Sequence, residues 1–221
     1  AAAIDTSIET GEIPPPNKKK QTDPFMSQAE WERMLLSRPD LAATKQFIQS
    51  FKNHTVSSDV YYKIAKMMIA DSRPEMKSLG VLVVGSNNSV MSFQILAGVS
   101  ASGSGEPKAN AQKYISAYSN SMANVQILLG VLRGTDTVAA RAALTQFDVA
   151  AKRFLANGTT STGGTAGRGT AAQFQPFVAV LTMLSGSSDG SLASQAANSL
   201  NQLQNLLGTS GNPTGNIAQT P

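Results

Sequence analysis

The chain contains no cysteine. That excludes disulfides, thiolate nucleophiles, zinc–thiolate sites and cysteine-ligated iron–sulfur clusters. Histidine occurs once, as His54, so a histidine-rich metal site is excluded by count. No Asp-x-Asp-x-Asp calcium loop is present in the sequence. Charge is scarce as well. Asp, Glu, Lys and Arg make up 14% of the 221 residues, where roughly 25% is usual for a soluble protein. Contact with water therefore falls largely to Ser, Thr, Asn and Gln. The net charge of +4 is mild, with no concentrated basic stripe of the kind that marks a nucleic-acid binder. Long hydrophobic runs are missing too. Val81-Leu82-Val83-Val84 is far short of the ~18 apolar residues of a membrane span.

Low charge and absent cysteine together fit an exported protein without disulfide staples. The start Ala1-Ala2-Ala3-Ile4 fits a mature end left by signal-peptide cleavage, and fits a shortened chain equally well. The periplasm or cell envelope is the expected location, with the cytoplasm as the alternative.

What is present is helical punctuation. Ser37-Arg38-Pro39-Asp40-Leu41 returns as Ser72-Arg73-Pro74-Glu75-Met76, about 35 residues later. Ser can accept from the free N–H groups of a first turn, Pro needs no donor there, and an acid suits the positive end of the helix dipole. Upstream, residues 1–24 have no helical period. Pro14-Pro15-Pro16 favours polyproline II and Lys18-Lys19-Lys20 is a solvated charge run, so an extended tail is expected. Ser27 and Glu30 form a capping box, with Met26 and Trp31 spaced as a hydrophobic staple.

Apolar periodicity predicts about nine helices. They cover residues 27–36 and 38–53, a third helix capped by Ser57 or Ser58, a fourth opened by the second SRP phrase and ended by the turn at Gly85-Ser86-Asn87-Asn88, then 89–99, 108–132, 137–156, 171–185 and 190–207. The third should bury Val60, Tyr61, Ile64, Met67 and Met68. The fifth is apolar nearly all round, as a central helix would be. Segment 78–84 has the β-branched content of a strand, but its flanks are helical and Gly80 weakens a strand. Residues 100–105 and 158–170 read as flexible Ser/Gly/Thr connectors.

The expected fold is all-α. Its helices form antiparallel hairpins in an irregular α-solenoid-like array or a bundle, between a tail at 1–24 and a polar tail at 208–221. The helical domain at 25–207 has possible sub-units at 25–99 and 107–207. Over residues 27–99 the paired helices resemble tetratricopeptide or HEAT-type repeats in architecture. The tetratricopeptide signature itself is missing, since no Gly follows the Leu after Trp31. The resemblance carries no functional residue across.

No motif for catalysis, metal or nucleotide stands out. His54 sits in a Lys-Asn-His-Thr helix end, where a cation suits exposed carbonyls. Gly163 to Thr170 fails as a phosphate loop, having no Lys before the Thr and no strand leading in. A hydrolase would need several of Asp59, Asp71, Asp136 and Asp148 to converge. Asp148 interrupts an apolar face and reads as solvent-facing or locally paired. The lysine run could bind an anionic surface or nucleic acid only weakly, with Glu9, Glu12 and Asp23 nearby. The leading expectation is a non-catalytic interaction or assembly module that binds another protein or itself. It takes no cofactor, metal or small-molecule substrate. Tyr61, Tyr62, Arg168, Leu192, Leu200 and Leu203 are the expected partner contacts. After Arg168 the only ionisable side chain is Asp189.

Overall fold

The computed structural model describes residues 58–156 and 166–210. The N-terminal tail, the expected helices over 27–36 and 38–53, the first SRPD phrase, His54 and the lysine run lie outside them, as does the expected C-terminal tail beyond 210, while the last helix takes in residues 208–210 of that tail. Among the described residues there are eight α-helices and no strand. They are α1 (Ser58–Ala70), α2 (Pro74–Gly85), α3 (Val90–Ser102), α4 (Gly105–Ser116), α5 (Met122–Leu132), α6 (Thr137–Ala151), α7 (Ala166–Ser185) and α8 (Gly190–Ser210). A 3-10 turn at Ala117–Ser119 follows α4, and a π-helical turn at Lys152–Ala156 ends α6. No described helix is long and apolar enough to cross a membrane.

The chain divides into two compact units that do not follow chain order. The first takes the chain up to Asn87 together with Val99–Gln112. The second takes Asn88–Gly98 and everything from Lys113 onward.

In the first unit α1 and α2 form a hairpin. Ile64, Ala65 and Met68 of α1 are buried, as are Met76, Leu79, Val81, Val83 and Val84 of α2. Met67, expected in the buried stripe, is 36% exposed. The repeated phrase opens α2 by a different device from the one expected. Pro74 and Glu75 do stand in the first turn, but the cap position falls on Arg73, whose side chain makes no capping bond. Asp71 holds the turn instead. One of its oxygens accepts from Arg73 N at 2.8 Å and Nε at 2.9 Å, and the other from Nη2 at 2.9 Å. These bonds to Arg73 pull the Asp71 carboxyl down to a pKa of about 2. Lys77 Nζ donates to Ile69 O at 3.0 Å, placing a cation on the carbonyl end of α1.

In the second unit the single helix expected over 108–132 is broken in two. The apolar period runs through Ile115, Tyr118, Met122 and Val125 without a fault, so it hides the break. Local polar chemistry makes it. Ser119 Oγ donates to Ser116 O at 2.9 Å, and Ser121 caps α5 by accepting from Asn124 N at 3.3 Å. Arg153 then ties the break down from α6, its Nη1 donating to Ser119 O at 3.1 Å and Asn120 Oδ1 at 2.7 Å. The turn sets Tyr118 edge-on to Phe93, 4.9 Å between ring centres. Its hydroxyl exchanges bonds with the backbone of Ser89, the residue whose side chain caps α3. The exposed side of α3 includes Met91 at 40% exposure, so this helix is not enclosed on every face.

Asp136 caps α6, accepting from Ala139 N at 2.9 Å. Replacing it by Ala is expected to cost about 1 kcal/mol, whereas Asn, which keeps the acceptor, should cost little. Urea unfolding of the two variants beside the wild type checks this. The inner side of α6 alternates Ala with Leu144 and Phe147, which lets α5 and α8 approach closely. Phe147 stacks on Phe177 of α7 at 4.5 Å, with Phe174 at 5.9 Å. In α7 the buried residues Phe174, Phe177, Leu181 and Leu184 recur at helical spacing. That helix begins at Ala166, five residues before the expected start.

Candidate functional site

The expected partner residues fall in different environments. Tyr61 and Tyr62 are both half-buried, their rings edge to face at 5.1 Å. The Tyr61 hydroxyl donates to Val83 O, with Ser86 Oγ at 3.4 Å. Burial raises its pKa, the Ser86 hydrogen bond opposing this and neighbouring Tyr62 adding to it. Arg168 lies in the first turn of α7. Leu192 and Leu203 are core residues of α8, at 3% and 0% exposure, so neither offers a surface. Leu200 is half-buried, and the inner stripe of α8 runs Leu192, Ala196, Ser199, Leu203 instead of through Leu200.

Of the carboxylates proposed for a hydrolase, Asp71 and Asp136 are engaged separately. Asp136 and Asp148 stand twelve residues apart along α6, or about 18 Å by helical rise, well beyond the roughly 9.5 Å that a cooperating pair tolerates. Asp59 and Asp71 are separated by the same number of residues along α1 and its exit. Asp71 is bonded to Arg73 and Asp136 caps its helix. Among the described residues there is no group of three or more His, Asp or Glu able to hold a metal ion.

Two features of the C-terminal helices remain. The first is the outward stripe of α7, where Ala172, Gln175, Pro176, Ala179, Thr182 and Met183 are all exposed. Met183 is 59% exposed, the highest among the exposed large hydrophobic residues described. Pro176 stands within the helix and offers no N–H. No charge interrupts the stripe. The one ionisable group between α7 and α8, Asp189, is spent internally. It accepts from Arg141 and from the N–H groups of Ser191 and Leu192 at 3.1 Å each. The Arg141 bond, ahead of those from Leu192 and Ser191, holds its carboxyl below the usual range. Such a surface has dispersion and desolvation to offer a partner, and no acid–base chemistry.

The second feature is the polar seam between α6 and α8. Gln195 Nε2 donates to Arg141 O at 3.0 Å and to Thr145 Oγ1 at 3.3 Å, and Gln202 Nε2 to Asp148 O at 3.1 Å. Between these bonds, Asp148 Oδ1 and Ser199 Oγ are buried without a hydrogen bond of good geometry. Asp148 is thus half-buried, with Oδ1 enclosed, between the solvent-facing and the locally paired settings that its position off the main apolar stripe suggests. The cover is α8, which lies on a second side of α6. Burial raises its pKa, while the nearby Ser199 hydroxyl and the Lys152 charge act the other way. The sequence signal for this seam was slight: a Ser between Ala196 and Leu203, where a Leu stripe is expected.

Comparison with family models, with curated proteins and with solved structures gives no match to this chain.

Proposed function

We propose that this chain is a non-catalytic interaction module that docks onto another protein, or onto a second copy of itself, through the outward side of its C-terminal helices. The observation that carries this reading is the charge-free stripe of α7, which ends at an exposed Met183 beside Ala179 and Thr182. An interface core is depleted in charge and enriched in Met, and it is where bulky apolar side chains contribute most. A setting in an exported or cell-envelope assembly is part of the same proposal, supported by the low charge and the lack of cysteine.

The structure changes how the reading is tested. Removing α7 and α8 would strip Phe174 and Phe177 from Phe147 and damage the core. Point substitutions are cleaner. Ala179→Asp and Met183→Asp place a charge on the stripe without touching a buried residue. Each should weaken association at least tenfold, which is about 1.4 kcal/mol, while leaving the circular dichroism spectrum unchanged. Sedimentation velocity over a concentration series, with photo-crosslinking from position 183, reads the effect. Association equal to that of the wild type in both variants overturns the reading.

A further inference from the structure

We infer that Asp148 and Ser199 form a proton-controlled latch that holds the C-terminal half of α8 on α6. The warrant is geometric. The two helices meet through amide-to-backbone bonds from Gln195 and Gln202, which water can replace. Between them sits one buried carboxylate oxygen and one buried hydroxyl, neither properly bonded. Ser199 is 1% exposed. A neutral carboxyl can donate its O–H to the Ser199 oxygen and lies there at little cost. An ionised carboxylate is acceptor-only and must be desolvated with a single hydroxyl for company, which is costly.

The surroundings do little to relieve that cost. Lys152, one turn on, is exposed. Arg141, two turns back, donates to Asp189 through Nη2 while its Nε is buried without a partner, and Arg153 is committed to Ser119 and Asn120. Neither α8 nor α5 carries an ionisable side chain, the 3-10 turn carries only the buried Tyr118, whose hydroxyl is bonded to Ser89, and α7 carries none after Arg168. The net result is the raised Asp148 pKa already described. A folded-state pKa above the unfolded one makes the seam tightest below the ordinary Asp range near 4. That stabilisation is lost as pH rises through the shifted value. Protonation closes the latch and deprotonation loosens it.

Amide hydrogen exchange on the full chain from pH 4 to 8, corrected for intrinsic rates, tests this. Residues Ser199–Leu207 are compared with Leu128–Leu132 of α5 as the internal reference. In the wild type, relative protection of the α8 segment should fall severalfold as pH rises across the titration. In Asp148→Asn, which cannot ionise, it should stay flat. Ser199→Ala removes the hydroxyl that favours the ionised form and should move the midpoint to higher pH. Carbon-detected titration of the Asp148 carboxyl gives a second readout, which holds even if Asp148→Asn folds poorly. Wild-type protection that does not change with pH, an equal fall in Asp148→Asn, an unmoved midpoint in Ser199→Ala, or an Asp148 titration in the ordinary range each overturns the latch.

Discussion

Phe147→Ala should be the most damaging single truncation in the second unit, at about 3–5 kcal/mol. Three aromatic rings converge there. Phe147 is fully buried and stacked on Phe177, and Phe174 lies within 6.0 Å of Phe177. The truncation removes a ring from a site walled by two helices, and helix backbones cannot close around the gap. The loss also reaches beyond area, because offset aromatic pairs contribute about 0.5–1.5 kcal/mol over their burial. For a domain holding 5–15 kcal/mol in total, a loss of this size is a large share. The melting temperature should fall by roughly 10 °C. Chemical denaturation followed by circular dichroism measures it, with Phe147→Leu as the milder control. A loss below about 1 kcal/mol for the Ala variant would mean that the rings are not close-packed.

The second large effect is expected at Gly80, and its sign decides between two principles. A buried glycine inside a helix costs about 1 kcal/mol relative to Ala, so propensity alone says Gly80→Ala should stabilise. Packing says the reverse. A Cβ at this position would lie 2.9 Å from Ile69 Cγ1, 2.9 Å from Met68 Cβ and 3.0 Å from Ile69 N. Met68 Cβ and Ile69 N are fixed parts of α1, so the helices themselves must separate. Overpacking of this kind typically costs about 1–3 kcal/mol. Gly80→Ala is therefore expected to destabilise, and Gly80→Leu to do so further. The urea midpoint of the Ala variant reads the outcome directly. A rise in that midpoint would show that α1 and α2 can move apart freely.

Gly80 also shows where reading the sequence succeeded and where it stopped. Its weakening of a strand over 78–84 was legible, and α2 is a helix. Its role as the point where α1 comes closest was not, because that depends on a partner helix. The same division recurs elsewhere. Asp136 as a cap and Pro74 at a helix start are local chemistry, and the sequence displays them. The break after Tyr118 is partly local, in Ser119 and Ser121, and partly set by Arg153 from more than thirty residues away. Met67 shows the opposite error, since helical spacing alone places a flexible apolar side chain in a core it only borders. At the candidate site, the scarcity of charge after Arg168 was readable, and it became the outward stripe of α7. On α8, Leu192 and Leu203 lie in the core, because periodicity identifies an apolar side without saying whether another helix covers it. Asp148 was singled out correctly as unusual, but its burial required knowing that α6 is covered twice.

The two heaviest packings among the described helices join neighbours in the chain, α7 with α8 and α1 with α2. Domains dominated by such short-range contacts fold quickly, within microseconds to milliseconds. The α6–α8 seam is the exception, bringing together Asp148 and Ser199 across 51 residues of chain. Hairpins can form as the chain emerges, but this closure must wait for the last helix. The contact that carries the half-buried acid is therefore a late-closing one, since it cannot form before α8 is available to α6.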